Sequence, residues 1–565
     1  MKKQLFIITL LCLWVSLTHA QSWLWAKSAH GAFDDWGQSI VVDAQGNTYV
    51  AGRFTSTSIS FGSTTLKNSD STNTSNPVTG MSMDVFLAKY DANGNVLWTK
   101  SARGTDNMDE GVFSVAVDAL GNAYMAGMFS SSTLSFDSIT LTNAGVENIF
   151  LAKYDTDGNV LWAKSAGGSF HDWGYAVAVS TLGNVYLTGV FQSPTITFGS
   201  TTLTNTDNTG QTTDLFLAKY DASGNVVWAK SAGGITYDWA LAVAVDKNEK
   251  VSVTGYFFSP TLTFESTMLT NTNELSDIFL AQYDADGNTL WSKSVVGAGA
   301  DDANAIAIDA SGNIFVIGDF DGTLIFDNIT LTRTGSANSD IFLAKYSSDG
   351  DILWAKNSSG LISYIPTNDF GSSVAVDASG NVYIAGRFES PTFTLDTISL
   401  TNAGEADIYL AKYNSNGNVL WAKSQGGTNN DGALSVAVDN FGNAFITGWF
   451  REVCSFGSTS LSNVDPVFGG SDLFIAKIGV TTGINEINNT LNTMIFPNPS
   501  NGKFIISCNR NIYTIEIFNI IGEKVFHSEI NNQKSEIDLS LQPKGIYFVK
   551  ISDGENIYTE KIIIQ

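Results

Sequence analysis

The sequence predicts an all-β protein: a seven-bladed β-propeller of four-stranded blades, its N-terminal strand closing the last blade, followed by a small C-terminal β-sandwich domain. Three observations predict it. Trp-x-Lys recurs seven times, at Trp25, Trp98, Trp162, Trp228, Trp291, Trp354 and Trp421, 63 to 73 residues apart. Each unit alternates apolar and polar residues with period two, the mark of strands, between turns rich in Gly-Asn. The array is also out of phase with the chain: its last unit stops at the third strand, and a lone fourth strand stands at the start.

Residues 1–20 read as a secretory signal: Lys2 and Lys3, an apolar stretch from Leu5 to Leu17, and Thr18-His19-Ala20 before Gln21. That stretch is short for a membrane span, and no other run reaches that length. Residues 21–479 are the propeller. Blade three shows one unit, with strands at Ala176–Val179, Asn184–Val190, Leu215–Tyr220 and Asn225–Lys230, named A to D from the centre outward. A β-solenoid would repeat every 20–30 residues or so. The last unit ends on strand C at Asp472–Lys477, and Ser22–Ser28 supplies its strand D, removing the exposed edges of an open ring. Blade four departs from the pattern: Asp246–Lys250 lacks the turn glycine, and Gln282 replaces the strand C lysine.

The strings Ala116–Gly127, Ala375–Gly386 and Phe86–Asp91 resemble the bacterial SBBP β-propeller repeat family over roughly residues 22–478. The resemblance implies the fold and no shared catalytic activity.

Antiparallel order sends the short A–B and C–D turns to one face of the disc and the longer B–C and D–A connections to the other. Variable loops on a rigid scaffold are where binding concentrates, so the long-loop face is the expected binding face. There every blade carries an acid eight residues before the end of strand A: Asp35, Glu110, Asp172, Asp238, Asp301, Asp369 and Asp431. Trp36, Trp173 and Trp239 follow directly in three blades. The register places these acids around the channel mouth, as a ring for a cation, a cationic group or a sugar. Their recurrence in all seven repeats favours fold maintenance instead, each acid capping a loop or pairing a lysine. The strand C lysines, Lys89, Lys153, Lys219, Lys345, Lys412 and Lys477, need partners if buried; the acids that open strand C, such as Asp84 and Asp214, are candidates, as are the ring acids. The tryptophan column reads as packing.

The net charge of −25 disfavours nucleic acid and anionic lipid, leaving cations, cationic partners and neutral glycans. No cofactor is implied. Calcium is conceivable at Asp-x-Asx-Gly-Asn turns such as Asp91–Asn95, but these lack the spread of ligands a calcium loop needs and read as turns with a glycine bulge. Cys454 and Cys508 read as buried small hydrophobes. After residue 20 the histidines are His30, His171 and His527, with no nucleophile elbow, zinc helix or phosphate loop. The regular channel mouth argues against one asymmetric catalytic site.

Residues 480–493 read as a linker and 494–565 as a compact all-β unit. Pro497, Asn498, Pro499 and Gly502, then Gly545, Tyr547 and Lys561, resemble the type A C-terminal sorting domain of the type IX secretion system. That implies the secretion machinery as partner and an extracellular or outer-membrane-surface location. The favoured function is a non-catalytic binding or adhesion propeller with a glycan or protein ligand on the long-loop face. A polysaccharide-acting hydrolase or lyase and a structural surface-layer component are the competing classes.

Overall fold

The computed structural model describes residues 21–69, 82–106, 108–271, 273–334, 339–360, 367–463, 470–480, 494–552 and 557–565. The expected signal segment and nearly all of the expected linker lie outside these residues. Among the described residues every regular element is a β-strand.

Seven four-stranded antiparallel ladders appear in the expected order. Blade one has strand A at Asp35–Val42, B at Thr48–Phe54, C at Asp84–Tyr90 and D at Val96–Gly104. Blade seven takes A, B and C from Asp431–Val438, Ala444–Phe450 and Asp472–Val480, and D from Gln21–Ala29. Ser22 opposes Gly479 and Ala29 opposes Leu473, with a bulge between Trp23 and Trp25. Strand A of each blade packs on strand A of the next, and that of blade seven on that of blade one, so the ring is closed. Strands B and C are covered by blades on both sides. They therefore bury nearly every residue, as Val185–Phe191 and Asp214–Tyr220 do in blade three.

The tryptophans staple neighbouring blades. The Trp98 indole lies over Gly158 of the next blade's C–D turn and donates Nε1 to Thr156 O at 3.0 Å. Trp25 does the same across the ring closure, over Gly94 and to Ala92 O at 3.2 Å. Only glycine suits that turn position: it sits at φ of about +80° beneath an indole.

The B–C connections are more regular than their sequences suggest. Each contains a two-stranded hairpin, such as Thr133–Phe136 with Ile139–Thr142. Its phenylalanine packs on the strand C aromatic of the same blade, as Phe136 does on Phe150 at 5.5 Å and Phe456 on Phe474 at 5.0 Å. Several hairpins also add to the end of the preceding blade's strand D, Leu134 opposite Gly104.

The lysine pairing differs from both expected sets. Lys153, Lys345 and Lys412 reach the A–B turn acids of their own blades, Asp118, Asp309 and Asp377, at 3.8, 3.8 and 3.3 Å. Asp84 and Asp214 instead accept Ser69 N and Thr206 N, holding the B–C segment. Strand C points its lysine toward the short-turn face, away from both sets of acids. In blade three the turn position is Ser180, and Lys219 pairs at 3.3 Å with Glu249 of blade four. Glu249 occupies the position of the missing turn glycine, at φ 63°.

Residues 494–565 belong to a second compact unit. It is one five-stranded sheet, Met494–Phe496, Lys503–Asn519, Lys524–Asp538, Gly545–Ser552 and Ile557–Ile564. The 17-residue strand Lys503–Asn519 reads in sequence as two runs; its irregular stretch between Ser507 and Thr514 hides the continuity. Both halves supply one core, Phe504 and Ile506 with Ile515 and Ile517.

The channel mouth as candidate functional site

The seven recurrent acids do not circle the mouth. Each is fully buried at the start of strand A. Its amide donates to the carbonyl of the residue just before strand C of the preceding blade, Asp35 N to Ser471 O at 2.7 Å and Asp431 N to Ala406 O at 2.9 Å. Its carboxylate accepts from the segment that follows strand B or from the D–A loop. Asp172 takes Ser193 Oγ at 2.8 Å and Gly168 N at 2.7 Å; Asp238 takes Ser259 Oγ at 2.8 Å and Gly234 N at 2.7 Å. Asp35 is bonded by Ser56 and Asp369 by Ser390, while Ser131 donates a short bond to Glu110. Asp301 accepts Asp321 N, and Asp431 accepts Gly427 N and Arg451 N. Burial dominates their titration. It pushes Glu110 and Asp301 up to about 8, Asp238 and Asp431 to about 7, and Asp172 and Asp369 to about 6. They are loop fasteners between blades.

Alternation along strand A explains the correction. The first residue faces into the blade and the second faces the mouth. Although Trp, Gly and Arg each recur among them, no two blades share the same pair of second residue and cross-strand partner on strand B: Trp36 with Arg53, Gly111 with Met128, Trp173 with Val190, Trp239 with Tyr256, Asp302 with Asp319, Phe370 with Arg387, and Gly432 with Trp449. The mouth is therefore asymmetric, contrary to the regularity expected from the acids. Below it, strand A residues of all seven blades line a channel cavity of about 430 Å³.

Two aromatic groups occupy the mouth. Over blades three and four, Trp239 is stacked between Tyr175 and Tyr256, each at 5.7 Å, and Trp173 meets it edge-on. Trp173 Nε1 and His171 Nδ1 share Glu147 Oε2, the histidine at 2.7 Å. Over blades seven and one, Trp449 stacks on Trp36 at 5.8 Å, and the Arg53 guanidinium covers Trp36 at 4.5 Å. Beside this stack lies a cleft of about 470 Å³, bounded by Trp36, Gln38, Asn304, Phe370, Arg387 and Trp449 among others. The three sequence-predicted tryptophans thus lie at the mouth, but in two groups, and Trp36 and Trp239 each pack against two neighbouring side chains. The arginines and Trp449 escaped the sequence reading. The signal was available: 17 residues separate each pair, fixed by the A–B hairpin register.

The Asp-x-Asx-Gly-Asn turns use their own carboxylates. Asp91 Oδ1 accepts Asn93 N and Asn95 N, and Oδ2 accepts Asn95 Nδ2, all within 2.9 Å. Among the described residues, no group of three or more His, Cys, Asp or Glu is placed to hold a metal. Cys454 and Cys508 are both buried, as expected.

In the tail, Asn498 bridges to the last strand, donating Nδ2 to Lys561 O at 2.8 Å and accepting Ile563 N at 2.9 Å. Pro497 and Pro499 flank it on the surface, and the Lys561 side chain is exposed. Gly502 takes φ 98°, where a Cβ would strike the backbone of Ser540; Gly545 opens the fourth strand of the sheet. Buried Tyr547 donates its hydroxyl to Pro543 O at 2.6 Å.

The chain is thus a β-propeller followed by a small β-domain of distinct fold. Residues 494–565 match the secretion system C-terminal sorting domain family, which directs export by the type IX secretion system to the cell surface or the extracellular space. No helix among the described residues is long and apolar enough to cross a membrane. An uncharacterized WD repeat-containing protein of Acanthamoeba polyphaga mimivirus is 24% identical over 76% of this chain and 36% of its own length. The regulatory protein FlaEY of Caulobacter vibrioides is 23% identical over 69% of this chain and 41% of its own. The chain therefore spans well under half the length of these relatives. The crystal structure of Sqt1 from Chaetomium thermophilum is similar at a TM-score of 0.37 and 9% identity, over 81% of this chain and 99% of that one.

Proposed function

We propose that this is a surface-displayed binding or adhesion propeller without catalytic activity, its ligand seated at the channel mouth on the long-loop face. The observation that carries the reading is the asymmetry of that mouth. Seven blades repeat their cores, turns and buried acids, yet the seven residue pairs at the mouth all differ. Some of these positions are buried, as Val190 is, and others, such as Trp36, Trp239, Phe370 and Arg387, are partly open; a ligand at the mouth gives a reason for the open ones to vary on a repeated scaffold. The same reading takes the array as SBBP type, residues 1–20 as the signal and 480–493 as the linker. Retention on a glycan panel, without new reducing ends, is the expected result; no retention on any glycan or protein ligand would leave a structural surface role.

One observation favours a hydrolytic reading. Asp302 and Asp319 oppose each other beside the cleft, and burial with the neighbouring Asp302 charge pushes Asp319 up to about 7. A general acid needs such a raised carboxyl. Cleavage of a retained glycan that disappears in Asp319→Asn would establish it.

A further inference from the structure

The cleft between blades five, six, seven and one has a chemical character of its own. Its walls are apolar at Trp36, Phe370, Leu434 and Trp449. Its polar groups are Gln38, Asn304, Ser372 and Arg387. The Arg387 guanidinium carbon lies over the Phe370 ring at 4.4 Å, a contact that holds the group in place beside the cleft. Its ion pair with Glu389 is long, at 4.0 Å, and among the described residues it has no hydrogen-bond acceptor. Asn304 spends its amide donors on Asp319 Oδ1 and Gly371 O, so its carbonyl remains as an acceptor. Gln38 and Ser372 bond to no other side chain or backbone group among the described residues, and both are only partly buried.

Resting on the proposed binding role of the mouth, we infer that this cleft takes an acidic sugar residue of a polysaccharide, its anionic group held by Arg387. A guanidinium carries parallel N–H donors, the pattern that a carboxylate or a sulfate accepts. Gln38, Ser372 and the Asn304 carbonyl are suited to sugar hydroxyls, since each offers a donor or acceptor the protein leaves unused. The apolar walls complete a site for a ring with one polar edge and one apolar face. Two acids stand near Arg387: Glu389 meets it only at 4.0 Å, and Asp319, which it acts on, is bound by Asn304; charges beyond about 8 Å are screened at physiological salt.

Affinity electrophoresis of the full chain through gels containing polygalacturonate, a sulfated galactan or neutral galactan tests the inference. Retardation by one or both acidic polymers and none by neutral galactan is expected, and the two acidic gels separate carboxylate from sulfate. Arg387→Gln should weaken retardation at least tenfold, and Arg387→Lys less. Ser372→Ala with Gln38→Ala, which leave the arginine in place, should weaken it several-fold without changing the preference for acid. Equal retardation by neutral galactan, or an unchanged Arg387→Gln with wild-type melting, would overturn the acidic-sugar inference and leave the binding role standing. Retardation by none of the three would overturn the inference, and loss of every ligand on a wider glycan and protein panel would overturn the binding role as well.

Discussion

Ser180 and Glu249 form a natural compensated pair, and the structure predicts what happens when it is broken. In blades two, five and six the strand C lysine finds an aspartate in its own A–B turn. Blade three has Ser180 there, and Glu249 of blade four reaches across to Lys219 at 3.3 Å, also taking Tyr186 OH at 2.6 Å and Asn184 Nδ2 at 2.8 Å. Both partners of the ion pair are 9% exposed. Removing one member of a buried pair costs about 3–5 kcal/mol. Lys219 keeps the Ala285 carbonyl at 2.9 Å, which places the loss near the lower end. Glu249→Gly also relieves a side chain held at positive φ, worth about 1 kcal/mol. The net expectation is a loss of about 2 kcal/mol. Adding Ser180→Asp rebuilds the arrangement of the other blades and should recover most of it. Denaturant titration of the wild type, the single variants and the double variant gives the coupling energy directly. A double variant no more stable than Glu249→Gly would refute the pairing argument.

Other consequences are open to the same assays. Burial holds the ring acids protonated in the folded chain at pH values where the unfolded chain has released those protons, from Asp172 at about 6 to Glu110 at about 8. The sign follows: their contribution favours folding at low pH and declines as pH rises from about 4 to 8. Turn aspartates such as Asp91 and Asp155, which desolvation raises but the asparagine side chain and amides of their own turns together lower, lose their contribution below the usual carboxylate range. Thermal melts should therefore be higher at pH 5 than at pH 8.5, with Glu110→Gln narrowing the gap; stability rising over that interval would contradict this. Gly158→Ala places a Cβ 2.9 Å from the Trp98 ring at φ +82° and should cost about 2–4 kcal/mol, whereas Gly62→Ala, with open space at φ +59°, should cost about 1 kcal/mol. Deleting residues 21–28 exposes the edge of Asp472–Val480 and should lower the melting temperature sharply or cause aggregation; an unchanged melt would contradict the closure.

The fold was largely legible because its determinants are local and repeated. The Trp-x-Lys period marks the blades, and the orphan strand Ser22–Ser28 marks the closure. The hairpins were overlooked because strands of four residues carry too few alternations to stand out. Side-chain direction at strand starts was the weak point for the site. Asp35 and Trp36 are adjacent, yet one is sealed inside the blade and the other faces the mouth. Recurrence drew attention to the acid, although recurrence is what inter-blade fastening requires. The informative positions are those that vary from blade to blade, such as Arg53, Arg387 and Trp449, whose meaning appears only when strand B is set in register with strand A. Glu249 looked like a defect in a turn because its partner Lys219 lies 30 residues away in another blade.

The central claim is that ligands meet the long-loop face at the channel mouth. The opposite face offers a fair rival, since Leu120, Leu182 and Phe441 stand 79%, 74% and 82% exposed at its A–B turns. Retention on a glycan and protein panel should be compared for the wild type, a mouth variant with Phe370→Ala and Arg387→Gln, and an opposite-face variant with Leu120→Ser, Leu182→Ser and Phe441→Ser. The account predicts that the mouth variant loses retention and the opposite-face variant keeps it. The reverse pattern, with both variants folded, would contradict it.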